Sequence, residues 1–386
     1  MKTKPYIFNL TCVAVALLLT ACGSSNKAAE SNVQSTQPLE QQFDYQALLD
    51  KTVEGEIPGV VLYIDSPTLK FHGAAGIADI NEQTPMQVDA RIPNGSAGKK
   101  LTALLASMLV NDQLLDLDKP ITTYLPTDIT SRVANSEAIT TRQMLQHTAG
   151  IIDYLNESDG AFYDAVLKDP DSLKTDAFAM SFVYGQEANF KAGSDWAYSN
   201  TGYILTGLIF DELLEEHHSR AMRQQIFEPF GLNSMSYGGV EKEYANINSG
   251  YFLYDGELID TKPYYKNIGV ADAPVVGTAK DMADLLSIIV SGEYLNSASY
   301  DLLLAESSFI NTNIDGLQYS YGLFKEMING KEVIHHHGSE LGYATYNFHI
   351  KETDTTAAFI VNCNGYTRCD NAHNKLYEEI LVELIN

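Results

Sequence analysis

The apolar and polar positions of the chain fall into three stretches with different periods. Gly59-Val-Val-Leu-Tyr-Ile-Asp65 is a short apolar run rich in strand formers, and residues 69–78 follow it across Ser66-Pro67. The pair predicts a β-hairpin. From about Ser96 the period changes. Leu101, Leu104, Leu105, Met108 and Leu109 recur at i, i+3, i+4, i+7 and i+8, which is the single apolar stripe of an amphipathic helix. Residues 112–290 keep mostly helical periods broken by loops, with helices predicted at 202–214 and 281–289. After Ser320 the strand pattern returns at 321–327, 332–337, 343–350 and 356–363, with Gly330-Lys331 as the turn signal between the first two. The chain closes on a helix at 371–385 that carries Leu376, Ile380 and Leu384 on one face.

Strands at both ends with helices between them predict an α/β (α+β) fold. One antiparallel sheet, flanked by helices, is built from residues 43–111 and 291–386, and a mostly helical domain, 112–290, is inserted. No internal repeat interrupts this reading.

The first residues follow another pattern. Lys2 and Lys4 precede an apolar run, Val13 to Leu19, that is too short to span a bilayer. It ends in Leu19-Thr-Ala-Cys-Gly23, which resembles a bacterial lipoprotein signal cut before Cys22. Residues 1–21 are then a leader, Cys22 carries lipid, and 22–42 are a polar, flexible tether. Gly23 after the cysteine resembles the outer-membrane sorting pattern. That resemblance implies a cell-envelope protein, lipid-anchored on the periplasmic face of the outer membrane, with no other membrane contact.

Charge narrows the partners. The 386 residues hold 25 Lys+Arg against 50 Asp+Glu, a net charge of −25. A nucleic-acid binder needs a basic stripe, so that class is excluded. Hydrophobic residues make up 45%, enough for a sizeable core. Cys12 leaves with the leader and Cys22 is lipidated. Cys363 and Cys369 remain, close in sequence and outside the reducing cytosol, so a short-loop disulfide is preferred over two free thiols.

The chain lacks a GxSxG elbow, an HExxH helix and a Walker A loop. It has Ser96-Ala-Gly-Lys99 at the predicted start of the amphipathic helix. Serine and lysine three apart lie on one face, one turn apart. A helix N-terminus favours negative charge, and a lysine among apolar groups has a lowered pKa and can take the hydroxyl proton. The spacing alone is weak, since Ser24 and Lys27 repeat it in the tether. Tyr-x-Asn is weaker still, occurring at Tyr154, Tyr198, Tyr244, Tyr265 and Tyr294.

Order along the chain is more specific. Arg91-Ile-Pro-Asn-Gly-Ser-Ala-Gly-Lys-Lys-Leu-Thr-Ala103 is followed by Leu114-Leu-Asp-Leu-Asp-Lys-Pro-Ile121, Tyr124-Leu-Pro126 and Met144-Leu-Gln-His-Thr-Ala-Gly150. Then come Trp196-Ala-Tyr-Ser-Asn-Thr-Gly-Tyr203, Gly277-Thr-Ala-Lys-Asp-Met282 and His336-His-Gly-Ser-Glu-Leu-Gly-Tyr343. Over residues 45–386 this series resembles the serine β-lactamase and D-alanyl-D-alanine-peptidase superfamily, on the branch with class C β-lactamases, DD-carboxypeptidases and related esterases.

The resemblance implies roles. Ser96 is the acylated nucleophile, Lys99 its proton-transfer partner, and Tyr198 the relay to the leaving group or water. Asn200 contacts the substrate amide. His336, His337 and Gly338 stand at the family's Lys-Thr-Gly or His-Thr-Gly strand, and the backbone N–H groups of Ser96 and Ser339 form the oxyanion hole. There are departures. His336 replaces lysine, similar to the DD-carboxypeptidase and esterase branches. His337 stands where a threonine helps bind the substrate carboxylate. Gly98 sits between nucleophile and lysine and, in a helix, costs ~1 kcal/mol relative to alanine.

The implied activity is a serine hydrolase acting through a Ser96 acyl-enzyme on a small peptide, ester or β-lactam, without a cofactor. D-alanyl-D-alanine carboxypeptidase or a related D-amino-acid peptidase ranks first, esterase second and β-lactamase third. A non-catalytic envelope protein that binds wall peptides or penicillin is the alternative class. Of three consecutive histidines on a strand, only His335 and His337 share a face, and no metal spacing accompanies them, so no metal site is expected. His147 reads as a structural hydrogen-bonding residue, His217 and His218 as a solvated helix end, Trp196 as core or groove wall, and the 23 tyrosines as a polar groove.

Overall fold

Strands from the two ends of the chain form one antiparallel sheet in the computed structural model, which describes residues 43–386 apart from 56 and 243–245. The leader, Cys22 and tether expected over 1–42 lie outside the described residues. β1 (Gly59–Asp65) and β2 (Lys70–Asp79) are the N-terminal hairpin. β3 (Phe324–Ile328), β4 (Lys331–His335), β5 (Gly338–Glu340), β6 (Tyr343–Ile350) and β7 (Thr355–Val361) come from the C-terminal stretch. Their order is β2-β1-β7-β6-β4-β3, with two-residue strands continuing the edges and β5 pairing with β6 beyond β4. The chain ends meet where β1 lies on β7, Val60 opposite Val361 and Asp65 opposite Thr356.

Period two explains why the central strands read as unbroken apolar runs. Val60, Leu62 and Ile64 enter one core with Ala357, Phe359 and Val361, while Val61, Ala358 and Ile360 enter the other. The first core is closed by α1 (Tyr45–Val53) and by α5 (Thr367–Ile385) through Leu49, Leu376 and Ile380. The second holds α2 (Lys99–Asn111), α3 (Asn200–Leu214) and α4 (Ala279–Ser291), with Leu101, Leu104, Leu105, Ile209, Leu285 and Leu286 buried. Each such side chain contributes about 1.5–3 kcal/mol of burial.

Several local outcomes differ from the sequence reading. Residues 279–290, expected in the insertion, belong to α4, which packs on β1, β6 and β7. Periodicity shows that a helix has an apolar face but not which layer covers it. The β3–β4 turn is Asn329-Gly330, both at positive φ (50° and 79°), and Lys331 already belongs to β4. Asparagine and glycine suit the two-residue hairpin turn that needs φ > 0 twice. His218 is not solvated. Glu215 ends α3 in the left-handed region, the chain doubles back, and His218 is buried against Asp211 and the Tyr237 hydroxyl, both at 2.7 Å. The strand expected at 332–337 stops at His335.

Cys363, two residues past β7, and Cys369, in the first turn of α5, form a disulfide with Cα atoms 6.2 Å apart. Among the described residues no helix is long and apolar enough to cross a membrane.

Candidate active site

Ser96 does not sit in the α-helix. It lies in a 3₁₀ turn, Gly95–Gly98, that leads into α2. Residues i and i+3 eclipse in a 3₁₀ turn, so Lys99 stands over Ser96: its N–H donates to Ser96 O, and its Nζ lies 3.0 Å from Ser96 Oγ. The turn presses on β5 because two glycines permit it. A Cβ on Gly338 would lie 2.0 Å from Asn94 O, and one on Gly95, where φ is +55°, would lie 2.9 Å from Ser339 N. Gly98 has its own reason. A Cβ there would meet Pro274 Cδ at 2.9 Å, so glycine lets the turn close on the segment that carries Asp272. Placed before α2 rather than inside it, Gly98 escapes the full helical penalty.

Lys99 has no exposed surface. Nζ donates to Ser96 Oγ, to Asn200 Oδ1 at 2.7 Å and to the Asp272 carbonyl at 2.9 Å. An ammonium fills all three with protons. A neutral amine keeps two and turns its lone pair to Ser96, the geometry a general base needs. Burial pushes the Lys99 pKa down, opposed by Asp272, whose carboxylate is 3.7 Å away, and by Asp153. Burial pushes Asp272 up, opposed by Lys99 and by the Tyr154 hydroxyl, which donates to Asp272 Oδ1 at 3.0 Å.

Tyr198 precedes α3. Its phenol is hydrogen-bonded to Ser96, and its ring centre is 5.2 Å from Lys99 Nζ. Burial raises the phenol well above its ordinary value, so it is a neutral hydroxyl that can pass protons. His147 fixes this turn. Its Nδ1 accepts the Ser199 N–H at 3.1 Å and its ring lies 4.2 Å from that of Tyr198. Burial holds His147 neutral, with Lys99 nearby acting in the same sense. Asn200 begins α3. The sequence reading has it contact the substrate amide, yet protein groups engage both ends of its side chain. Oδ1 accepts from Lys99, and Nδ2 donates to the buried Asp153 carboxylate at 3.0 and 3.2 Å. Asn200 thus links Lys99 to Asp153.

β4 and β5 keep one register against β6, with His335 opposite Phe348 and Gly338 opposite Thr345. Between them the ladder is interrupted. The His336 N–H reaches Asn347 O at 3.2 Å, but the Asn347 N–H is taken by His337 Nδ1 at 3.3 Å. Alternation then puts His336, Gly338 and Glu340 on the face toward Ser96. His336 packs on Phe324, Tyr319 and Tyr198, and burial keeps it neutral. His337 lies on the opposite face, its ring against Tyr346, Tyr377 and His335 at 4.6–4.8 Å. It therefore does not take the threonine's place at the substrate. The same alternation turns the Ser339 N–H away from β6 toward the Ser96 turn. The backbone N atoms of Ser96 and Ser339 thus lie at the contact between the turn and β5, where the resemblance puts the oxyanion hole.

Several site residues were not singled out from sequence. Asp272 is a lone acid in Gly269-Val-Ala-Asp-Ala-Pro-Val-Val276, and an isolated acid in an apolar run is a legible signal of a buried, partnered charge. Asp153 and Glu340 carried no such signal. Tyr154 and Tyr265, each the first residue of a Tyr-x-Asn match, hydrogen-bond Asp272 and Glu340.

A buried serine–lysine pair packed against a strand edge, on a sheet built from both chain ends, defines the β-lactamase-like class. The chain belongs to the Beta-lactamase family, whose model matches residues 43–381. Penicillin-binding protein 4* of Bacillus subtilis (strain 168) is 23% identical over 343 residues, 84% of this chain and 72% of that protein. Protein flp of Staphylococcus aureus (strain N315) is 23% identical over 245 residues, 62% of this chain, a match that spans about half (48%) of that relative's length. Two solved structures share the fold. D-amino acid amidase from Ochrobactrum anthropi SV3, complexed with D-phenylalanine, has a TM-score of 0.72 at 21% identity over 88% of this chain and 98% of that one. D-stereospecific amidohydrolase from Streptomyces sp. has a TM-score of 0.71 at 22% identity over 82% and 93%.

Proposed function

We propose that the protein is a serine hydrolase that opens amides or peptides of D-amino acids through an acyl-enzyme on Ser96. The observation that carries this reading is the fully buried Lys99 Nζ lying 3.0 Å from Ser96 Oγ. Neutral Lys99 accepts the Ser96 hydroxyl proton as Oγ bonds to the substrate carbonyl carbon. The carbonyl oxygen becomes an oxyanion between the N–H groups of Ser96 and Ser339. As the C–N bond breaks, the Tyr198 phenol gives its proton to the leaving amine and regains one from Lys99. Water then repeats the steps in reverse roles and frees Ser96.

The D-amino-acid assignment draws on the names of two structural neighbours, which act on D-amino-acid amides or are D-stereospecific. A D-alanyl-D-alanine carboxypeptidase, ranked first from sequence, needs a donor for the terminal carboxylate. His337 faces α5 and does not supply it, so amide and N-terminal peptide hydrolysis move ahead. Intact-mass spectrometry after treatment with a fluorophosphonate tests the acyl-enzyme: an adduct localised to Ser96 is expected, and folded protein with no adduct overturns it. The lipid anchor on Cys22 belongs to the same proposal. Expression with radiolabelled palmitate is expected to label the full chain, and Cys22→Ser to abolish the label.

A further inference from the structure

Glu340 follows Ser339 on β5 and shares a strand face with His336 and Gly338. At 3.3 Å per residue, His336 and Glu340 stand about 13 Å apart, with Gly338 midway. The Ser96 turn packs on Gly338. Ser96 is therefore centred over an edge that has an imidazole at one end and a carboxylate at the other. Tyr198, the proton donor to the leaving group, lies at the imidazole end, its ring 6.3 Å from that of His336. The leaving group departs on that side, and the acyl portion of the substrate extends toward Glu340.

The carboxylate is held for a purpose that its own contacts do not complete. Tyr163, from the insertion's helix Ala161–Lys168, donates to Glu340 Oε2 at 2.9 Å. Tyr265 donates to the same oxygen at 2.8 Å, its orientation set because it accepts the Leu341 N–H. Among the described residues, nothing donates to Oε1 and no cation pairs with Glu340. Glu340 is only partly buried. Beside it stands Asp272, with Lys99 already engaged by Ser96 and Asn200. Such a surrounding disfavours an anionic substrate group and favours a cationic one.

We propose that Glu340 Oε1 receives the free α-ammonium group of the residue whose carbonyl is attacked, which makes this an amino-acid amidase or aminopeptidase site. The proposal rests on the Ser96 acyl-enzyme reading and names its substrate class. The α-ammonium is two bonds from the scissile carbon, and Glu340 is two residues, about 6.6 Å, along the strand from Gly338, a span that its side chain closes. Substrates with a blocked amine leave the carboxylate without its partner, and a site built for a hydrogen-bonded charge rejects such analogues strongly.

The test compares D-alanine p-nitroanilide with N-acetyl-D-alanine p-nitroanilide on wild type, Glu340→Gln and Glu340→Asp, each checked for fold by circular dichroism and for Ser96 by fluorophosphonate labelling. Wild type is expected to favour the free amine about 100-fold in kcat/KM. Glu340→Gln is expected to lose most of that ratio, mainly through KM, and Glu340→Asp to recover part of it. Labelled, folded protein that prefers the acetylated substrate, or keeps the same ratio in Glu340→Gln, overturns the Glu340 assignment alone. Folded wild type that fails to label at Ser96 overturns the acyl-enzyme reading and this assignment with it.

Discussion

Lys99 donates to Asn200 Oδ1 at 2.7 Å, and Asn200 in turn donates to both oxygens of Asp153. Lys99, the proposed general base, is thus tied to a buried carboxylate through an amide that matches acceptor to amine and donor to acid. Asn200→Ala leaves Lys99 and Asp153 each without that partner. Phosphonylation of Ser96 by a fluorophosphonate, in which Oγ displaces fluoride from phosphorus, is expected to slow by about 100-fold or more, since misplacing a catalytic group by an ångström has that effect. Stopped mass spectrometry measures it, and an unchanged rate would remove Asn200 from the machinery.

Lys99 is as buried as any core residue, so Lys99→Ala would leave a cavity together with an unpaired Asp272. Lys99→Met keeps the volume. It is expected to fold and to lose about 10³-fold in acylation rate, the scale of general-base catalysis. Because burial lowers the Lys99 pKa, wild-type acylation is expected to rise with pH as this amine loses its proton. A rate that falls with pH over that limb contradicts the assignment.

Lys100 is a second buried amine, also without exposed surface, and it donates to the Ala97 carbonyl. Burial pushes its pKa down to about 7. The unfolded chain holds this proton up to about pH 10.4. Between those values the unfolded state binds more protons, so this group makes stability rise with pH; below about pH 7 both states are protonated and its penalty is full and constant. Lys100→Met is expected to stabilise the protein at neutral pH by a few kcal/mol, on the order of the cost of burying an amine, and to flatten the rise toward pH 10. Denaturant melts at pH 6, 8 and 10 check both features.

Gly338→Ala brings a methyl carbon within 2.0 Å of Asn94 O, which is backbone and cannot swing aside. β5 must move off the Ser96 turn, separating the two oxyanion donors. Loss of one such donor costs about 10²–10³-fold in turnover, and a drop of this size with the circular dichroism spectrum preserved is expected. Wild-type turnover in the variant would show that the close approach is not needed.

The disulfide closes a short loop, with a sequence separation of 6. Chain-entropy reasoning assigns such a loop about 2 kcal/mol. Replacing both cysteines, Cys363→Ser with Cys369→Ser, is expected to lower Tm by a few degrees while Ser96 still labels. Calorimetry of the pair of proteins decides.

Burial raises the Glu340 carboxyl to about 7, with Asp272 acting in the same sense and Tyr265, Tyr163 and Lys99 opposing. Its charged form dominates above that pH. Preference for the free-amine substrate over its acetylated analogue is therefore expected to weaken as pH falls through 7. A ratio that is flat from pH 5.5 to 8.5 would count against a carboxylate at that position.

Much of the architecture was legible because it depends on local periods. Residues 343–350 form a strand with the predicted bounds, and the stripe from Leu101 to Leu109 became the buried side of α2. The candidate nucleophile and base were legible because the 3-residue spacing and the ordered blocks around it are linear signals. Asp153, Asp272, Tyr163 and Glu340 were not, because each matters only through a partner more than 45 residues away.

Residue order by itself determined that strands from both ends close one sheet, and which serine and lysine stand one turn apart, since both follow from repeats of two or three to four positions. Tertiary structure alone decided the fate of His337 and Glu340. On a strand, neighbours in sequence are opposites in space, so whether a side chain meets the nucleophile or the back layer depends on which face of the finished sheet the Ser96 turn covers. Packing settles that face, and Gly338 is small enough for the turn to rest on.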